Sequence, residues 1–140
     1  VKDLGVTYGG YSCFIRLKFV RKGSNESKVF IIHAWHGAGA SQTDGARLQR
    51  LTRLMGKMEA DVYLMGHLHA ITHIVVDRLK TVQGKIKSIP QIATITGSWL
   101  RTYAQGKPPC YGEEAGYSPS HIGCPTIIFN PFKDEIHYMV

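Results

Sequence analysis

A chain of 140 residues with 44% hydrophobic content supports one core, so a single domain over residues 1–140 is expected. Its longest apolar runs, residues 29–35 and 71–76, are strand-sized and fall well short of the roughly 20 apolar residues of a membrane helix, which predicts a soluble, cytoplasmic protein with no membrane partner. Seventeen Lys and Arg against ten Asp and Glu give a net charge of +7, a field that favours phosphorylated or polyanionic partners over cations, while Cys13, Cys110 and Cys124 sit at spacings that exclude a Cys-x-x-Cys redox or zinc motif.

Residues 1–5 carry neither an initiator Met nor a targeting pattern, so the chain is expected to begin inside a longer protein. Residues 11–20 alternate Phe14, Leu17 and Phe19 with Arg16 and Lys18, the pattern of a strand, and Gly23, Ser24 and Asn25 mark the turn after it. Residues 28–35 form a nearly continuous β-branched and aromatic run, as in strands covered on both faces. The small residues of Gly37-Ala38-Gly39-Ala40-Ser41-Gln42 read as a flexible loop. Thr43 or Asp44 then caps a helix in which Leu48, Leu51, Met55 and Met58 recur at helical spacing to about Lys57. Its other face, with Arg47, Arg50, Arg53 and Lys57, reads as solvated. Residues 61–65 are a short apolar strand that stops at Gly66.

Strand, loop, helix and strand make a βαβ unit, whose parallel strands open their ligand sites at the carboxyl edge. Further strands are expected at 71–81, 85–96, 125–130 and 135–140, with Gln83-Gly84 as a turn and 106–123 as a long connection. The fold class is therefore α/β, a mixed β-sheet sandwich with few helices.

Three of the seven histidines stand where metal chemistry favours them. His67 and His69, in Gly66-His67-Leu68-His69, follow a strand end, so both imidazoles can face the open edge while Leu68 faces inward. Gly66 lets the backbone turn sharply. His36, followed by Gly37, holds the corresponding place after the preceding strand, and the three imidazoles are expected to converge as ligands. His33, His73, His121 and His137 read as core or surface residues, and alternation sends His33 to the opposite face from His36. Gly37 and Gly39 are candidate substrate-binding positions, where backbone N–H groups could meet a phosphate, or else only part of a connection.

These blocks resemble the last two signature blocks of the calcineurin-like metallophosphoesterases. The stretch from His36-Gly37-Ala38-Gly39-Ala40 through Thr43-Asp44-Gly45-Ala46 to Asp61-Val62-Tyr63-Leu64-Met65-Gly66-His67 looks like the phage and bacterial members, and Thr96-Gly97-Ser98-Trp99 and Gly116-Tyr117 look like their downstream region. The resemblance covers most of the chain. It implies the C-terminal portion of a four-layer metallophosphoesterase-like fold, and phosphomonoester or phosphodiester hydrolysis at two divalent ions of Mn, Zn, Fe or Ni type, with His36 and His67 on one ion and His69 on the other. A single ion held by the three histidines is the alternative for the isolated chain.

The family's earlier Asp-x-His, Gly-Asp and Gly-Asn-His blocks, which supply the bridging aspartate and a catalytic histidine, do not occur in this sequence. The partners implied are a phosphoester substrate of the nucleotide or nucleic-acid kind, a missing N-terminal segment or partner chain, and a second copy of the chain. The isolated chain is expected to be nearly inactive, and no catalytic residue is assigned within it. Two other classes compete: a nucleic-acid-binding module using Trp35, Trp99, Tyr103 and Tyr117, and an assembly subunit that keeps the fold without the chemistry.

Overall fold

The computed structural model describes residues 5–119 and 121–140. Strands β1 (Ser12–Val20) and β2 (Ser27–Trp35) pair antiparallel around the expected turn, and helix α1 (Asp44–Met55) connects β2 to β3 (Val62–Met65). Strands β4 (Ile71–Val82) and β5 (Lys85–Thr96) form a long hairpin, a short helix α2 (Tyr111–Glu114) follows, and β6 (Thr126–Asn130) and β7 (Glu135–Met139) close the chain as a second hairpin. The main sheet runs β1-β2-β3-β5-β4. Its three inner strands are parallel, with Trp35 opposite Met65 and Met65 opposite Ile95, so β2, β3 and β5 all end at one edge.

Each element follows from its residues. Thr43 Oγ1 accepts the Ala46 N–H and caps α1, which buries Leu51, Leu54 and Met55 against Tyr63, Met65, Ala93 and Ile95. Full burial of one such side chain contributes about 1.5–3 kcal/mol, so this face holds α1 on the sheet. The helix stops two residues before Lys57, where Gly56 donates to Thr52 O and Lys57 to Leu54 O in a tightened last turn.

The opposite face packs on the second hairpin. The Phe129 ring lies 5.0 Å from Phe30, and Tyr138 stacks on His73 at 4.0 Å. The result is a mixed α/β sandwich of two sheets with one substantial helix, as the sequence indicates. Register at the base of the sheet is pinned by polar contacts: Asp61 Oδ2 accepts the Ile31 N–H at 2.8 Å, and the Tyr63 hydroxyl accepts from Ala60 N–H while donating to Met58 O.

One feature lies outside the sequence reading: helix α2 falls within the segment taken as a connection. Strand β1 is an edge with Phe14, Ile15, Phe19 and Val20 all exposed. Among the described residues, no helix is long and apolar enough to cross a membrane.

Candidate metal centre and adjoining cavity

Two glycines bring the histidine-bearing loops together. Gly37 has φ +90°, and a Cβ there would lie 2.8 Å from Gly66 O; a Cβ on Gly66 would lie 3.1 Å from His36 O. Only residues without side chains let these two backbones abut so closely. The contact sets the exposed His36 and His67 rings side by side, centroids 5.3 Å apart. His36 is further fixed by its N–H, which donates to Tyr11 O at 2.8 Å, and by the Tyr11 ring against its own.

The Gly-His-x-His block takes an uncommon backbone path. His67 has φ +70° and His69 φ +49°, left-handed conformations that cost a non-glycine residue about 1–2 kcal/mol each. Leu68 between them donates to Gly66 O and packs toward the core, as the alternation implies. Strained backbone of this kind concentrates at sites where side-chain direction matters more than local stability.

His69 has a different neighbour. Its ring meets Tyr117 edge-on at 5.6 Å, and its Nδ1 is enclosed with no hydrogen-bond partner among the described residues. His33 Nδ1 in the core is likewise enclosed without a partner, so this feature alone does not single out His69. His67 and His69 line a cavity of about 140 Å³, together with Gly39, Ser41, Arg47 and Tyr117. His67 thus borders both His36 and the cavity. Among the described residues, no three His, Cys, Asp or Glu side chains gather closely enough to hold an ion. The geometry brings His36 to His67 and seats His69 with His67 on the cavity wall; it does not close the three imidazoles into one shell. Imidazole nitrogens suit Zn, Fe and Ni, so the pair has donor chemistry compatible with such an ion.

The small-residue loop is tied down, which corrects the expectation of a flexible connection. Arg50 Nη1 donates to Ala38 O at 2.8 Å, its Nε donates to Ser41 Oγ, and its guanidinium lies where a side chain on Gly39 would stand. Arg47 Nε donates to Ser41 O at 3.1 Å, and its Nη1 pairs with Asp44 at 2.8 Å. The charged face of α1 is therefore solvated only in part: Arg47 and Arg50 fold back on the loop. Gly39 lines the cavity, whereas Gly37 is buried against Gly66.

Of the remaining histidines, His33 is buried in the core, bonded to Ser12 Oγ at 2.8 Å and stacked on Phe14, and burial pushes its pKa below the usual imidazole value. His73 stacks on Tyr138, and His137 lies 3.3 Å from Glu135. The cavity residues that sequence reasoning did not single out are Arg47 as a pocket wall and Ser118. The Asp44-x-x-Arg47 spacing was the available signal for the first, since residues three apart on a helix face each other.

The aromatic residues divide. Trp35 packs against the α1 core, whereas Tyr103, Tyr111 and Tyr117 gather, with the Tyr103 hydroxyl donating to Tyr117 O at 2.9 Å and the Tyr111 and Tyr117 hydroxyls 3.2 Å apart. That last contact raises the Tyr117 hydroxyl above its ordinary pKa. Compared with protein-family models, curated proteins and solved structures, the chain matches none.

Proposed function

We propose that this chain supplies the C-terminal portion of a calcineurin-like, four-layer metallophosphoesterase, with His36, His67 and His69 as its metal ligands. One observation carries the reading: two glycines allow a backbone contact found at the carboxyl edge of a βαβ unit, and that contact pairs His36 with His67. Bound divalent ions would supply charge neutralisation at the phosphoryl group and a water acidified enough to attack it. The chain's own residues hold and orient. Strand ends fix His36 and His67, the left-handed turns direct His67 and His69, and the net charge of +7 favours an anionic ester.

The test is metal binding by calorimetry with Mn²⁺ or Zn²⁺. His67→Ala and His69→Ala should weaken it far more than His73→Ala, whose ring stacks on Tyr138 on the other sheet. Equal effects from all three would remove the ligand assignment. Joining the chain to a segment that carries Asp-x-His, Gly-Asp and Asn-His blocks should yield metal-dependent hydrolysis of an aryl phosphodiester, while the chain alone stays nearly inactive.

A second reading, a non-catalytic nucleic-acid-binding subunit, draws support from the Tyr103, Tyr111 and Tyr117 group beside the cavity. Steep loss of oligonucleotide binding with added salt, and no dependence on metal, would favour it.

A further inference from the structure

Resting on that reading, we infer that the cavity beside His67 and His69 binds a single-ring aromatic substituent of the phosphoester, with Tyr117 as its stacking wall and Arg47 as its cationic wall. Size is the first argument. The cavity opens to solvent, and its space of about 140 Å³ matches the roughly 150 Å³ that holds one benzene ring, so a phenyl or pyrimidine-sized group fills it and a fused purine would have to extend out of it.

The walls are the second argument. Tyr117 is fixed before any ligand arrives: its carbonyl accepts from Tyr103, its hydroxyl meets Tyr111, and its ring rests edge-on against His69. A ring already immobilised costs little further entropy when it stacks. Leu68 adds apolar surface, and the missing side chain at Gly39 keeps the loop wall thin. Arg47 is likewise held, by Ser41 O and Asp44, with only 17% of its side chain exposed. Those two bonds leave three of its five N–H groups for an anionic ester oxygen, and its planar face suits an aromatic ring.

Position is the third. His36 does not line the cavity, whereas His67 beside it and His69 do, so a phosphate held at the histidines would direct its ester substituent inward. The site would thus select the leaving group, a role distinct from holding metal.

Amide shifts of Gly39, Ser41, Leu68 and Ser118 in ¹⁵N-labelled protein, titrated without metal, read the cavity directly. Phenyl phosphate should bind about tenfold more tightly than inorganic phosphate, in line with the gain from stacking one ring on an aromatic side chain. A purine nucleoside monophosphate should show no such gain. The preference should survive Tyr117→Phe, which keeps the ring and the fold, and vanish in Tyr117→Ala; Arg47→Lys should weaken both phosphates together. Equal affinity of wild type for phenyl and inorganic phosphate, a preference that persists in Tyr117→Ala, or a purine nucleotide that binds as well as phenyl phosphate would each overturn the assignment. Zn²⁺ binding, measured separately by calorimetry, separates the two claims: intact Zn²⁺ binding without the phenyl preference removes the cavity assignment alone, and the phenyl preference without Zn²⁺ binding supports the cavity while removing the metal site.

Discussion

Replacing Gly37 with alanine probes the contact on which the candidate site is built. The backbone there has φ +90°, where an L-residue is strained by about 1–2 kcal/mol, and the added Cβ meets Gly66 O at 2.8 Å, Met65 Cγ at 3.0 Å and His67 Cβ at 3.2 Å. A backbone oxygen cannot swing aside as a flexible side chain can, so the His36 and Gly66 loops must separate, with an overpacking cost of about 1–3 kcal/mol. The two effects together come to about 3 kcal/mol, which lowers the melting temperature of a chain this size by about 10 °C. Gly45→Ala is the control, because it lies in α1 with open space around it, and alanine there should raise stability by about 0.5 kcal/mol. Thermal melts followed by circular dichroism, with urea titrations alongside, give both values. Gly37→Ala melting within about 2 °C of wild type would refute the claim that the two loops are locked by this contact.

Burial depresses the His33 pKa, so the folded state favours the neutral ring; its stabilising effect is full above the unfolded value near 6.5 and is lost as pH falls through 6.5 toward the folded pKa. The urea midpoint should therefore drop between about pH 8 and about pH 5 by more in wild type than in His33→Phe. Strand β1 should drive association, because an edge with exposed apolar side chains is a template for pairing. Sedimentation at increasing concentration should show this for wild type and less of it for Ile15→Lys; a monomer at every concentration would count against the edge as an interface. Asp61→Asn should lower stability by about 1–2 kcal/mol without weakening metal binding, because it weakens the carboxylate's bond to Ile31 N–H at the far end of the sheet.

The parallel core was readable because its signals are local and agree with one another. Val29-Phe30-Ile31-Ile32 can be little else than a strand, Leu51 and Met55 recur four apart behind a Thr43 cap, and the turn at Gln83-Gly84 divides two strands that the structure bounds at Val82 and Lys85. What stayed hidden depends on distant partners. Helix α2 is only Tyr111–Glu114 and has Gly112 buried; Glu113 holds it by accepting from Tyr103 N–H at 2.7 Å, a contact no periodicity announces. The arginine face was legible only in part, solvated at Arg53 and Lys57 but not at Arg47 and Arg50: Ala38 O and Ser41 O need donors, and Arg50 and Arg47 supply them only once the loop has returned over the helix. At the site, the glycines announced the close approach of His36 and His67, while the half-buried place of His69 beside Tyr117 depends on a segment 48 residues further along the chain.

On the proposed reading, charge argues that the three histidines alone would hold a dinuclear centre weakly. Two dications carry four positive charges, and neutral imidazoles offset none of them. Several carboxylates are engaged elsewhere: Asp44 with Arg47, Glu59 with Lys80, Asp61 with Ile31 N–H, Glu113 with Tyr103 N–H, and Asp134 with Lys28. Asp61 precedes β3 and His67 follows it, so the strand's own length separates them. Moving Asp61 to the site would also remove the contact that sets the β2 and β3 register. These carboxylates serve the architecture, and on the proposed reading the bridging carboxylates would come from the family's earlier blocks.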